Sequence, residues 1–340
     1  MQQALNKRDF LKLASLPAIA SWGGRAARAQ STAFVLKCGH VMPATHPTHL
    51  RAQEAAAGIR QETQGRVDMQ VFPSGQLGSD SDQLSQLRAG AIDFYSLSPL
   101  VLGSLVPSAQ ITGIAFAFAD YDHVWAALDG ELGKWVRAEI GKTSLFAFEN
   151  IWDNGFRQMT SQSRPIRSPE DLVGFKMRVA VSPIFTSIFK SLGASPVSIN
   201  FTEVYSALQT HVVDGMENSL ALLDSAKIYE VQKHCAVTNH MWDGFWMLGN
   251  QRNFAKLPVE VQQIVRRNLN AAAIKQRQDL RIRNESLVGE LAKKGLAFND
   301  AKVTDFRRKL QAVGFYKDWR AKFGDQGWAL LEKYAGGLTA

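Results

Sequence analysis

The chain has 340 residues, of which 46% are hydrophobic and 21% are charged, and its 39 Lys and Arg against 31 Asp and Glu give a formal net charge of +8. This is the composition of an ordinary globular protein, and it excludes the disordered, collagen-like and coiled-coil classes. Two cysteines exclude a disulfide scaffold and a four-thiolate zinc site, while the length indicates about two domains.

Residues 1–29 have the order of features that is typical of an export signal peptide. A basic stretch over 7–12 precedes a short apolar run, and the tripeptide 27–29 fits the small-x-small cleavage pattern. The basic stretch resembles a twin-arginine signal with Lys7 in place of the first arginine, so this route and the general secretory route both stay open. An ordinary N-terminal helix is the alternative interpretation.

Removal of this segment would halve the net charge, because it carries five basic residues and one acidic residue. No later segment approaches eighteen consecutive apolar residues, so the mature protein is expected not to be embedded in a membrane. A protein processed in this way would lie in the periplasm.

The first part of the mature chain alternates strands with helices. This order implies right-handed crossovers and a mostly parallel sheet. The predicted elements are a strand over 34–38, a helix ending near Thr63 before Gly65, a strand over 66–72, a helix over 80–88 and a strand over 91–95.

The same theme restarts after Ser144, which indicates a second α/β unit and a boundary near residue 150. The predicted strands cover 145–149, 156–160, 175–180, 196–199 and 212–216, and the predicted helices cover 184–192 and 204–210.

The last 82 residues, after Pro258, predict helices. Apolar residues spaced by three and four, with no breaker before Gly289, predict a first helix of ~35 residues and roughly 50 Å. A helix of that length is expected to lie across both units. Further helices are predicted near 302–311, 314–322 and 327–335.

Motifs of common enzymes are absent from the sequence, which has no nucleophile elbow, phosphate loop or His-Glu-x-x-His. A secreted metal-binding enzyme is still an alternative, because Cys38, His40, His46 and His49 lie close together and each can bind zinc. Their spacing matches no familiar zinc motif, so they could also be core and loop residues, and His40 could face a ligand cleft. A disulfide between Cys38 and Cys235 is chemically possible, but free buried thiols are the expected state.

The basic residues of the long helix do not indicate a nucleic-acid partner. Acidic residues interleave with them and aromatic residues are absent there, as on a solvated helix face. Two strand arginines are more informative. Arg157 and Arg178 lie in strands, where an arginine is either paired with an acidic residue or binds an anion such as a carboxylate.

Several segments of the sequence, which include those that contain the two arginines, resemble segments of one protein family in the same order and spacing. This family is the extracytoplasmic solute-binding proteins of tripartite ATP-independent periplasmic (TRAP) transporters. They include Val-Phe-Pro-Ser-Gly-Gln-Leu-Gly over 71–78, Gly-Phe-Lys-Met-Arg-Val over 174–179 and Val-Asp-Gly-Met-Glu-Asn over 213–218. The other matching segments are 65–67, 88–93, 164–166, 169–172, 192–194 and 203–210, so the resemblance covers nearly the whole mature chain.

The resemblance implies a two-domain, periplasmic-binding-protein-like α/β fold with hinge strands and a long domain-spanning helix. Domain I would comprise 31–154 plus about 244–283, and domain II 155–243 plus about 284–340, with the ligand cleft between them. The implied function is capture of an organic acid and delivery to a TRAP permease, by a monomer with no cofactor and no enzymatic activity. A ligand-sensing module for a membrane receptor would share this chemistry and stays open.

The family pattern also implies site residues. Arg178 matches the arginine that forms a two-pronged salt bridge with the ligand carboxylate, Arg157 a second arginine near it, Asn218 an amide that contacts the ligand and Phe201 an aromatic lining position. Ser96 and Ser98 lie where the first domain contributes polar contacts. Trp242, with Trp152, Phe245 and Trp246, either lines the cleft or packs in the core.

Overall fold

The computed structural model describes residues 33–335 and residue 338. Its first unit contains three parallel strands, with β1 between β2 and β3. The elements are β1 (Phe34–Gly39), α1 (Pro47–Glu62), β2 (Val67–Phe72), α2 (Asp80–Ala89) and β3 (Phe94–Leu97).

Local sequence explains where these helices begin and end. His46 precedes α1 and its Nδ1 accepts a hydrogen bond from the backbone N–H of Thr48. Ser79 and Asp82 form a capping box at the start of α2, and Gly90 ends that helix in the left-handed conformation, with φ 80°. The strand predicted over 91–95 begins later, at Phe94, because residues 91–93 form the turn that follows this helix end.

A helical layer follows that the predicted elements do not include. It contains α3 (Pro99–Leu102), α4 (Tyr121–Leu128) and α5 (Glu131–Gly141), and it is followed by the short strand β4 (Leu145–Ala147), which corresponds to the strand predicted over 145–149. In α4 and α5 the buried residues Val124, Ala127, Leu128, Leu132, Val136 and Ile140 recur at helical spacing. This periodicity is visible in the sequence, and it is the signal from which both helices can be recognised.

The second unit again has parallel strands, with β6 between β7 and β8. From residue 152 to residue 255 the elements in chain order are β5 (Trp152–Ser161), β6 (Lys176–Val179), α6 (Pro183–Ser191), β7 (Ser195–Ser198), α7 (Val204–Gln209), β8 (Gly215–Ser219), α8 (Leu220–Ser225), β9 (His234–Val237), β10 (Trp242–Asn250) and α9 (Gln251–Ala255). The strand predicted over 212–216 lies three residues later, which places Asn218 inside β8.

Two long antiparallel strands, β5 and β10, join the parallel groups. The strand order is β2-β1-β3-β10-β5-β8-β6-β7, with β10 paired to β3 and β5, and β5 paired to β8. The β5–β10 register shifts at Asp243 and Gly244, and Gly155 adopts φ 110°, so β5 continues through a bulge instead of starting at Phe156 as predicted. The fold is therefore a two-domain α/β fold with connecting strands at its centre.

The predicted long helix is α10 (Val259–Lys293), with 35 residues, and it packs against α1 of the first unit and α8 of the second. Buried Gln276 anchors it to β5, since its Oε1 accepts from the Asp153 N–H at 2.8 Å and its Nε2 donates to the Asp153 carbonyl at 2.7 Å. Arg277 adds a bidentate salt bridge to Asp129. These contacts attach the helix to the connecting strands.

The chain ends in β11 (Ala297–Asp300), α11 (Val303–Ala312) and α12 (Phe315–Ala335). The two predicted helices over 314–322 and 327–335 are the two segments of α12, separated by Gly324 at φ 75°. The predicted export signal over 1–29 lies outside the described residues. Among the described helices, none combines the length and apolarity that a membrane crossing requires.

Asp153 gives the connecting strands a pH-dependent stability. Burial raises the pKa of this carboxyl to about 7, even though Trp242 donates an indole N–H to its Oδ1 at 2.9 Å. The folded state therefore holds a proton that the unfolded state has released, so ionisation of Asp153 opposes folding increasingly as the pH rises towards 7.

We expect Asp153→Asn, which removes this ionisation, to gain stability relative to the wild type as the pH increases. The gain at pH 8 should exceed that at pH 5 by roughly 2–3 kcal/mol in urea unfolding. Asp318→Asn, at an exposed position of α12, controls for the change in net charge. A stability difference that stays constant from pH 5 to pH 8 would contradict the assignment.

Candidate functional site

A cavity of about 40 Å³ lies where the connecting strands meet both units. The first unit lines it from the loop after β1, from α2 and from α3 with its N-cap Ser98. The second unit lines it from β6, α6, Phe201, β8 and α8, and β5 and β10 contribute at the crossing. Its polar lining consists of Asp80, Ser98, Asn154, Arg157, Arg178, Asn218 and Asp243.

Arg157 is the centre of a buried ion network in this wall. Its Nε and Nη2 donate to the two carboxylate oxygens of Glu217 at 2.5 and 2.8 Å, and Nη2 also donates to the Glu217 carbonyl at 3.0 Å. Its Nη1 donates to Asp243 Oδ2 at 2.9 Å. The guanidinium thus joins β5 to β8 and β10, and most of its N–H groups are already used within the protein.

The network keeps Glu217 ionised despite complete burial. Burial raises the pKa of Glu217, but the charge and hydrogen bonds of Arg157 outweigh this effect and lower it. Burial lowers the pKa of neighbouring His240, so its imidazole is held neutral. Glu217 therefore stays negatively charged beside Arg157, and the positive charge of Arg157 is balanced inside the protein.

Arg178 is buried to the same degree but has a different environment. Its Nε and Nη2 donate to the backbone carbonyl of Ile199 at 3.0 and 2.5 Å, and within the part of the chain that the structure describes it forms no salt bridge. Burial lowers the pKa of Arg178 to about 10; the charge of Glu217 and, more weakly, that of Asp80 oppose this shift, and the charge of Arg157 adds to it. The group is charged at neutral pH, and its Nη1 has no hydrogen-bond acceptor among the described residues.

Asn218 presents a second available donor. Its Oδ1 accepts from the Ser219 N–H at 2.9 Å and from Asn154 Nδ2 at 3.3 Å, which orients the amide. Its Nδ2 donates to none of the residues that the structure describes, and the residue lines the cavity. Arg178 and Asn218 thus place unused N–H donors on the same cavity, which suits a carboxylate.

Phe201 and Asp80 lie beside Arg178. The Phe201 ring lies 5.9 Å from the guanidinium carbon, and its backbone N–H donates to Asp80 Oδ2 at 3.3 Å. Tyr95 donates its hydroxyl to Asp80 Oδ1 at 2.8 Å, and burial raises the pKa of Asp80. This hydrogen bond from Phe201 joins the second unit to α2 of the first unit, next to the guanidinium of Arg178.

Of the remaining predicted site residues, Ser98 lines the cavity, while Ser96, His40 and Trp242 do not. Ser98 donates to Asp243 Oδ1 at 2.9 Å. Ser96 is buried in β3, His40 Nε2 lies 3.0 Å from His49 Nδ1, and Trp242 donates to Asp153 and packs on Trp125. Of the aromatic residues around Trp242, Phe245 reaches the cavity and Trp152 and Trp246 pack in the core.

The cysteine and histidines of the predicted metal alternative have separate packing roles. Cys38 Sγ lies 3.8 Å from Met247 Sδ, His46 caps α1, and His40 pairs with His49. Within the described ranges, no group of three or more His, Cys, Asp or Glu side chains is placed to hold a metal ion. Cys38 and Cys235 are both free and buried.

Three acidic residues of this site, Asp80, Glu217 and Asp243, are not predicted from the sequence. Asp243 could be identified from the sequence, since it is an acidic residue inside an otherwise apolar run over 241–248. An acidic side chain buried in such a run requires a cation as its partner. Glu217 lies inside the quoted segment 213–218 without a predicted role. Asp80 has no distinctive signal, because an acidic residue is common in the first turn of any helix.

The architecture and its central cavity define a two-domain solute-binding protein, and comparison with known proteins agrees. A family model described as bacterial extracellular solute-binding protein, family 7, matches residues 38–322. The chain belongs to this family, that of the TRAP extracytoplasmic solute-binding proteins, whose characterised members are periplasmic binding proteins.

Relatives with known ligands share the fold over most of its length. A solute-binding protein of Roseobacter denitrificans is 33% identical over 289 residues, covering 84% of this chain and 87% of the relative. Its structure with bound L-galactonate gives a TM-score of 0.83 at 28% identity, covering 89% and 99% of the two chains. A TRAP protein from Sulfurospirillum deleyianum with bound succinate gives a TM-score of 0.84 at 28% identity, covering 90% and 99%.

The different pairing of the two arginines predicts different effects on stability. Arg157→Met leaves Glu217 and Asp243 buried without their cation, and we expect it to lower the free energy of unfolding of ligand-free protein by about 3–5 kcal/mol. Arg178→Met removes hydrogen bonds to one carbonyl and should cost about 1 kcal/mol or less. Urea unfolding compares the two variants, and equal losses would show that Arg178 has a structural ion partner.

Proposed function

We propose that this protein captures an organic acid in the central cavity, with Arg178 forming the salt bridge to its carboxylate and Asn218 donating an additional hydrogen bond. The observation that carries the proposal is the state of Arg178. It is a fully buried, charged guanidinium with an unused planar N–H edge and no ion partner among the described residues. A buried charge of this kind is costly unless an anion binds to it.

Arg157 has a supporting role in this proposal. Its guanidinium holds the cavity wall together through Glu217 and Asp243, and contributes positive potential near the ligand instead of a full carboxylate clamp. Phe201 and Ser98 complete the wall on either side. Ser96, His40 and Trp242 would act behind the wall, since they do not line the cavity.

Family membership supports a transport role. We propose that the mature protein is exported after cleavage near residue 29, acts as a monomer without enzymatic activity, and delivers its ligand to a TRAP-type permease. Domain I would be 31–154 plus about 244–283, and domain II 155–243 plus about 284–340. The crossing of β5 and β10 between the parallel groups supports these boundaries.

Thermal melting of ligand-stripped protein tests the binding proposal. A carboxylic acid at ~100 times its dissociation constant should add about 2.7 kcal/mol of stability. Arg178→Ala should abolish this shift, and Arg178→Lys should lose most of it because an ammonium group cannot form the planar bidentate contact.

Arg266→Ala is the matched control, because Arg266 is a half-buried arginine of α10 that pairs with Glu149 outside the cavity. Its ligand-induced shift should equal that of the wild type. Retention of the full shift in both Arg178 variants would rule out Arg178 as the carboxylate-binding residue.

A further inference from the structure

The polar groups of the cavity wall are largely occupied by one another. Ser98 donates to Asp243 and accepts from the Leu100 N–H at 3.2 Å. Asn154 donates from Nδ2 to Asn218 and Asp243, and its Oδ1 accepts from the Ser219 hydroxyl at 2.9 Å. These side chains line the cavity without offering a free donor to a ligand.

The two arginines limit how many carboxylates a ligand can carry. Arg157 is balanced by Glu217 and Asp243, so it cannot neutralise a ligand carboxylate without losing one of these partners. Arg178 is left as the available cation among the described lining residues, with Asn218 Nδ2 beside it as a neutral donor. A second carboxylate on the ligand would be buried near Asp80, Glu217 or Asp243 with no cation of its own.

The rest of the wall is apolar. It is formed by Val41, Met42, Val101, Phe185, Leu222 and Phe245. A ligand hydroxyl placed against these side chains would lose its hydrogen bonds to water and gain none, which makes burial of a polyhydroxylated acid unfavourable. An aliphatic or aromatic group would instead bury its surface favourably.

From this wall we infer that the ligand is a small monocarboxylic acid with an apolar aliphatic or aryl body, and that sugar acids and dicarboxylates are selected against. The inference rests on the proposed function, because it takes Arg178 as the carboxylate site. It separates this protein from the relatives whose structures hold L-galactonate and succinate. Among the described lining residues, Asp80 has the fewest hydrogen bonds of the carboxylates, and its oxygens already accept from Tyr95 and Phe201.

Isothermal titration of ligand-stripped protein tests the inference with two sets of acids. The apolar set is hexanoate, 4-methyl-2-oxopentanoate and phenylacetate, and the polar set is succinate, D-galacturonate and L-galactonate. At least one apolar acid should bind about tenfold or more tightly than every polar acid, because the wall beyond Arg178 and Asn218 leaves the additional polar groups of a sugar acid or dicarboxylate unpaired.

Tighter binding of succinate or a sugar acid than of all three apolar acids would overturn the inference and leave the proposed function standing. If no acid of either set binds, both the inference and the proposed carboxylate function fail. Binding that persists in Arg178→Ala would contradict the proposed function separately, because it would place the carboxylate elsewhere.

An isosteric variant tests the apolar wall directly. Val101→Thr adds one hydroxyl to the wall at nearly constant volume, and it should weaken binding of the best apolar acid roughly fivefold or more. Val124→Thr adds the same hydroxyl at a fully buried helix position that does not line the cavity, and it should leave the affinity unchanged. Equal affinities of Val101→Thr and the wild type would show that the ligand body does not contact this wall.

Discussion

The ion network of Arg157, Glu217 and Asp243 lies at the point where the chain passes between its two units. Each member comes from a different strand, β5, β8 or β10, and all three are almost completely buried. A buried ion network adds little net stability over apolar packing, but removal of one member leaves the others unpaired at a high cost. The crossing geometry therefore depends on this network, and the cavity wall depends on the crossing geometry.

The same network determines which arginine is available for a ligand. Arg157 and Arg178 are both strand arginines with similar burial, and each lies against an aromatic ring, Phe185 or Phe201. Glu217 and Asp243 both form their salt bridges with Arg157. Among the residues that the structure describes, Arg178 hydrogen-bonds only to the backbone carbonyl of Ile199, so the proposed function places the anion at this one point of the cavity.

Local sequence signals predict much of the fold. Caps and glycines explain the ends of α1 and α2, and the absence of breakers after Pro258 predicts the 35 residues of α10. The errors occur where tertiary contacts override local patterns. In the sequence, Gly155 marks the start of the strand predicted over 156–160. In the structure, β5 begins earlier and continues through Gly155 as a bulge, because it pairs with β10.

The site could be predicted in part, for a physical reason. The residue types and the family resemblance bring Arg178, Arg157, Asn218, Phe201 and Ser98 to one cavity, but they do not show how each charge is paired. Pairing depends on partners distant in the chain, such as Asp243, which lies 86 residues from Arg157. For the same reason the sequence leaves open whether Trp242 and its aromatic neighbours line the cleft or pack in the core, whereas the apolar lining comes from separate parts of the chain, such as Met42, Phe185 and Phe245.

The position of Phe201 links the anion site to the contact between the two units. Its ring lies near Arg178, and its N–H donates to Asp80 at the start of α2. Close by, the Ser81 hydroxyl donates to Asn200, and the turn around Gly75 approaches Thr202. Any movement that separates the units along this edge must break the hydrogen bond from Phe201 and shift its ring relative to the guanidinium. A ligand that binds as proposed, between Arg178 and the apolar side chains of the first unit, would therefore stabilise the same contacts that separation of the units would break. Ligand binding would then be coupled to the relative position of the two units.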